Sequence, residues 1–217
     1  MSIRSVLIYT IFERFWHWAQ VTLILTMLIS GFAIHGINQW MSFDEAVTLH
    51  TLAALALLTL WVLATFWLFT TGNWKHYLPT AAGLGQVVRF YSYGIFKGER
   101  HPYRKAYWRK HNPLQAIAYL LLKSILFPLI WVSGIVYLFY FAWGDTPGAA
   151  VWLGRVALIH TATAYAILAF VIVHVYMLTI GHSFVEHVTP MLTGFDEVEL
   201  NAEEEAYLIK DEPNHIR

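Results

Sequence analysis

The chain has 217 residues, no net formal charge, 58% hydrophobic and 17% aromatic residues, and 13% charged ones, about half the charged share of an average soluble domain. Balanced charge excludes the global basic or acidic surface that nucleic acid or an acidic substrate would select. The absence of cysteine excludes disulfides, thiolate ligation of iron–sulfur clusters in this chain and covalent haem attachment through C-x-x-C-H, so any cofactor must be held by other side chains.

In "MSIRSVLIYTIFERFWHW", Glu13 and Arg14 interrupt what could have been a signal-peptide core, and the N-terminus is expected to remain in the mature protein. Four apolar stretches follow, at about 15–35, 46–70, 114–141 and 151–180, and none contains Asp or Glu. Each exceeds the roughly 20 helical residues that cross a hydrocarbon core. Inside lipid every backbone group must be bonded within its own segment, so four helices in a bundle are expected, an all-α integral membrane fold. Pro128 marks a kink in the third helix.

The linker 71–113 holds Lys75, Arg89, Lys97, Arg100, Arg104, Lys105, Arg109 and Lys110 against Glu99 alone, whereas the connections 36–45 and 142–150 contain no Lys or Arg. The positive-inside rule then puts the linker and both termini in the cytoplasm of a multi-pass protein. Within the linker, "LGQVVRFYSYGIF" has the composition of a short interfacial amphipathic helix beside anionic lipid. Tryptophans 16, 18, 40, 74, 108, 143 and 152 fall near segment ends, as interfacial anchors do. Residues 1–182 are therefore read as the transmembrane domain and 183–217, with Asp196, Glu197, Glu199, Glu203, Glu204 and Glu205, as an acidic cytoplasmic tail.

Of eleven histidines, His17, His50, His160 and His174 lie inside the apolar segments. At about 1.5 Å and 100° per residue, the fourteen residues between His160 and His174 separate them by roughly 21 Å and keep them within about 40° of one face. With the topology above, depth pairs His17 with His174 at the inner level and His50 with His160 at the outer one. Two imidazole pairs at two levels of a bundle suit two haems b, each iron held by neutral histidine nitrogens. Gly31 lies fourteen residues after His17, at the outer depth, where the missing side chain would let a macrocycle approach, and Ser30-Gly31 recurs as Ser133-Gly134 in the third helix. A zinc or other cation transporter is the competing reading, but such a path recruits carboxylates and the apolar segments supply none. A third is a cofactor-free anchor whose histidines only bond helices together.

The set "ERFWHW", "TLHTLA", "KHNPLQ" and "LIHTATAYAILAFVIVHVY" resembles the cytochrome b (gamma) subunits of membrane-bound formate dehydrogenases, related to those of nickel-iron hydrogenases and thiosulfate reductases. The resemblance runs from about residue 12 to 182. It implies a haem b electron-transfer and anchor subunit of the bacterial inner (cytoplasmic) membrane. Electrons would pass from a periplasmic iron–sulfur subunit, itself fed by a catalytic subunit with molybdenum, tungsten or nickel-iron, through two haems to menaquinone or ubiquinone on the cytoplasmic side. By position it makes His50 and His160 the outer ligands and His17 and His174 the inner ones, in agreement with depth. With a hydrogenase the same subunit would serve a different donor, and with a thiosulfate or polysulfide reductase it would run in reverse and oxidise quinol. The chain would not transform the primary substrate itself, but would carry the quinone-reducing site, and the complex could assemble into a higher oligomer.

In the resembling subunits, the region of Asn112 and Gln115 lines the quinone pocket. From sequence alone, Asn112 before Pro113 is an N-cap with proline at the first helical position. Arg155, near the outer surface, is a candidate for a haem propionate or a snorkelling residue. Lys123, about nine residues into the third helix, is a candidate for a propionate or for proton delivery. Glu13 is expected to be a solvated partner of Arg14 or of a neighbouring chain. His76, His101, His111, His182 and His187 are read as cytoplasmic, with His111 and His182 the two that could neighbour a quinone.

Overall fold

The computed structural model describes residues 2–99, 102, 107, 108, 110–180 and 183–217, so His101, His182, Arg100, Arg104, Lys105 and Arg109 lie outside the described residues. Four long helices carry the fold: α1 (Ile11–Ile34), α2 (Phe43–Thr71), α4 (Pro113–Leu138) and α5 (Ala149–Met177). Each is long and apolar enough to span a membrane, with a mean hydropathy of 1.5 to 2.2, and only 6% to 22% of each span is buried within the chain. The large apolar side chains left outside, such as Leu52, Phe66, Val132, Leu158 and Ile172, are the surface that lipid covers.

Local sequence sets the helix ends. Thr10 with Glu13, Ser42 with Glu45 and Asn112 with Gln115 form reciprocal capping boxes at the starts of α1, α2 and α4. Gly72, at φ +73°, closes α2 in a left-handed conformation. The first helix thus starts four residues earlier than its apolar run, and Glu13 and Arg14 belong to it. In α4 the ladder widens to a π-turn at Leu122–Leu126 just before Pro128. Proline offers no N–H to the preceding turn, so the irregularity expected at its position is absorbed one turn earlier.

α1 packs on α2 and α4 on α5. The linker contains α3 (Leu84–Ser92), which turns Val87 and Phe90 inward and rests against the start of α4. The C-terminal region folds rather than trailing as a tail. α6 (Phe184–Thr193) leads through Gly194 into β2 (Phe195–Leu200), and α7 (Ala202–Asp211) follows. β2 pairs antiparallel with β1 (Ser2–Leu7), from Ser2 opposite Leu200 to Leu7 opposite Phe195, which adds a two-stranded sheet to the expected all-helical fold. "FDEVEL" alternates, so Val198 and Leu200 turn inward to meet Val6 and Leu208 in a small core, while Glu197 and Glu199 face out. Glu205 accepts hydrogen bonds from Ser2 Oγ and Arg4 Nε, both at 2.6 Å. Both chain ends therefore lie on the same side of the bundle.

Candidate functional site

The four intramembrane histidines meet in two pairs. His17 of α1 faces His174 of α5 with ring centres 6.5 Å apart and planes at 55°; His50 of α2 faces His160 of α5 at 6.2 Å and 64°. Depth and helical face read from the sequence lead to the same two pairs. An imidazole nitrogen binds a transition metal at about 2.0–2.1 Å and lies roughly 1.2 Å from its ring centre, so two rings trans on one ion have centres about 6.4 Å apart. Both pairs match that span, so each could hold one metal ion, such as a haem iron, between its two imidazoles. Among the described residues no group of three or more His, Cys, Asp or Glu side chains converges, whereas a closed zinc site takes four ligands.

The outer pair is held the same way on both sides. Ser30, on α1, lies 3.1 Å from Nδ1 of His50, and Ser133, on α4, lies 3.0 Å from Nδ1 of His160. A side-chain carbon on Gly31 would meet His50 Cε1 at 3.5 Å, and one on Gly134 would meet His160 Cε1 at 3.2 Å. Each Ser-Gly step is thus a seat for the imidazole of the neighbouring helix. Gly31 sits at the level of the His50–His160 pair, and the group lying against it in this structure is the imidazole of His50.

The inner pair has different neighbours. Tyr119 places its hydroxyl 3.2 Å from Nδ1 of His174, and Phe170 stacks parallel to that ring. Nδ1 of His17 and Nε1 of Trp16 are buried without a hydrogen-bond partner among the described residues. Lys123 sets its ammonium over the rings of Trp16 and Tyr77, at 5.1 and 4.9 Å, and forms no ion pair among the described residues. An unpaired cation and two orphaned nitrogens are an incomplete set, suited to an oxygen-bearing group that the chain does not itself provide.

Beside them lies a polar cluster that sequence reasoning did not foresee. Glu13 is 2% exposed and accepts from Lys110 Nζ and from the Tyr77 hydroxyl, each at 2.5 Å. It is therefore a buried acid paired with a distant lysine, and the expectation of a solvated partner of Arg14 is corrected. The capping box turns its carboxylate back over the helix start, where the linker folds across it; Arg14 donates instead to the Leu192 carbonyl. Burial lowers the Lys110 ammonium below its usual value against the pull of Glu13, and burial with the Glu13 charge raises the Tyr77 phenol. His111 packs against Tyr77 and Tyr119; burial first, then Lys123 and Lys110, bring its imidazole down to about 4, so it is neutral near pH 7. A cavity of about 260 Å³, lined by Thr10, His76, Trp108, Lys110, Glu212 and His215, opens beside this cluster.

The remaining predicted residues lie as follows. Asn112 and Gln115 are the two halves of the α4 cap, Gln115 N donating to Asn112 Oδ1 at 2.9 Å and Asn112 N to Gln115 Oε1 at 3.1 Å. Asn112 Nδ2 reaches the Tyr91 hydroxyl at 3.4 Å. Arg155 is exposed and lies 4.8 Å over the Trp152 ring. His76 Nδ1 bonds to the Trp108 carbonyl and His187 Nε2 to that of Ile180.

Comparison with known proteins agrees with this site. No solved structure matches. A relative from Escherichia coli (strain K12), named "Putative cytochrome YdhU", is 31% identical over 200 residues, covering 88% of this chain and 74% of the relative. The family described as prokaryotic cytochrome b561 matches residues 8–194, all four spanning helices included. The chain belongs to the prokaryotic cytochrome b561 family and is a membrane-bound haem b protein of electron transfer.

Proposed function

We propose that the chain binds two haems b, the outer one between His50 and His160 and the inner one between His17 and His174, and serves as the electron-transfer and anchor subunit of a respiratory oxidoreductase. The observation that carries this reading is the two imidazole pairs, 6.5 and 6.2 Å between ring centres, at two levels of one bundle. Haem iron contributes one-electron chemistry at each level. The chain's own residues hold the two centres about 21 Å apart along α5 and keep water away with the apolar helix faces.

At the inner end, the incomplete set of Lys123, Trp16 Nε1 and His17 Nδ1 lies beside Tyr119, and a quinone with its two carbonyls suits such donors. Gln115 uses its oxygen in the cap, and its amide nitrogen makes no hydrogen bond among the described residues, so it is free to donate to a quinone carbonyl. Proton uptake at the cytoplasmic side would accompany quinone reduction there. The resemblance to gamma subunits supports a formate dehydrogenase as the partner complex in the inner membrane, with an iron–sulfur subunit delivering electrons from the periplasm.

Haem content tests the reading directly. A pyridine haemochrome assay on the purified chain should give two haems b per polypeptide, and His160→Ala should remove mainly one of them. One haem or none in the parent chain sinks the two-centre assignment. Co-purification of the intact complex, followed by identification of the bound subunits, tests the partner.

A further inference from the structure

The two seats of the outer pair match atom for atom. Ser30 Oγ lies 2.7 Å from the Thr26 carbonyl and 3.2 Å from that of Met27; Ser133 Oγ lies 2.6 Å from the Leu129 carbonyl and 3.1 Å from that of Ile130. A serine hydroxyl has one hydrogen, and in each case the shortest contact is the carbonyl four residues back, so the hydroxyl donates there and offers its lone pairs to the imidazole. The His50 ring nitrogen Nδ1 also lies 3.1 Å from the Met27 carbonyl. A carbonyl can only accept. Nδ1 of His50 therefore carries the proton, and Nδ1 of His160 does so because the Ser133 hydroxyl gives its one hydrogen to the Leu129 carbonyl and can only accept from the ring, which leaves Nε2 of each as the free base to bind a metal.

The inner pair lacks this arrangement. Nδ1 of His17 has no partner among the described residues, and that of His174 meets a single tyrosine hydroxyl. A hydrogen bond from the far nitrogen to an acceptor raises the basicity of a ligating imidazole and favours the oxidised, more positive iron, and so lowers its reduction potential. Two ligands backed in this way at the outer level oppose one or none at the inner level.

We propose that Ser30 and Ser133, with the Met27 and Ile130 carbonyls behind them, hold His50 and His160 as electron-rich ligands and so poise the outer centre below the inner one, biasing electron flow inward. The transfer moves one electron, oxidising the outer iron and reducing the inner, and no bond is made or broken. This inference rests on the ligand assignment proposed above, and Ser30 and Ser133 act in it as positioning residues.

The test is a potentiometric titration of the haem α-bands in the purified full chain. The parent chain should titrate in two steps, and the lower-potential step should be the one missing from His160→Ala. Ser30→Ala and Ser133→Ala should each raise that step, by roughly a tenfold change in its reduction equilibrium or about 59 mV for one electron, leave the upper step in place, and raise it further when combined. If Ser30→Ala empties the centre, Ser133→Ala reads the same potential from the other side. Unmoved steps in both variants, or movement of the higher step instead, overturn the inference. A parent chain without two separable haems overturns the ligand assignment, which is a distinguishable result.

Discussion

At the scale of single residues, the outer seats differ by a few tenths of an ångström. A side-chain carbon on Gly134 would stand 3.2 Å from His160 Cε1, inside the usual contact range, while on Gly31 it would stand 3.5 Å from His50, an ordinary contact. Gly134→Ala should therefore displace His160 and weaken retention of the outer haem by about tenfold, a loss of the size that follows when the groups orienting a metal ligand are disturbed. Gly31→Ala should keep most of it. The haem-to-protein ratio after washing measures the difference, and an equal or larger loss in Gly31→Ala would mean that something besides the imidazole presses on that face. The histidines were legible in the sequence because imidazoles are rare enough in apolar helices for their spacing to carry depth and direction. The Ser-Gly repeat was legible as a pattern, but not as a hydrogen-bond device, because which ring nitrogen meets the serine depends on how two helices rotate against each other. Glu13 was misread for a related reason: its partners Tyr77 and Lys110 lie 64 and 97 residues away, and no local pattern announces a contact at that range.

At the scale of elements, the four spans follow from hydropathy, and the starts of α1, α2 and α4 from capping boxes written in the chain as T-x-x-E, S-x-x-E and N-P-x-Q. The strand β2 was hidden because three acids and a short alternation read as solvated sequence until Val198 and Leu200 find Val6. Its entry is a glycine for a definite reason. Gly194 has φ +91°, its carbonyl accepts from the amides of Ile8 and Tyr9, and a side-chain carbon there would meet the Tyr9 carbonyl at 2.7 Å. Gly194→Ala should therefore open the terminal sheet while leaving the spans folded. Faster amide exchange over 2–9 and 195–200, with an unchanged haem spectrum, is the expected outcome. Unchanged protection of both strands would contradict it.

At the scale of the whole molecule, the short connections after α1 and α4 lie at one end of the bundle and the linker and both termini at the other, and the charge asymmetry supports the proposal that the linker end faces the cytoplasm. The chain has no native cysteine, so single cysteines can report sidedness without background. Replacements of Gln39 and Thr146, both exposed in the short loops, should react with an impermeant maleimide added to intact spheroplasts. A replacement of Asp211 should react only after the membrane is opened. The reverse pattern would invert the topology and, with it, the inner and outer assignments.

The pairing of β1 with β2 also bears on how the molecule is made. β2 follows β1 by roughly 190 residues, so the two strands can pair only after all four spans between them have been synthesised. Until then the start of α1 is held by the contacts of Glu13 with Tyr77 and Lys110 and not yet by the strand that follows α6. The sheet is in this sense a late fastening, joining the two ends of the chain after the spans that lie between them.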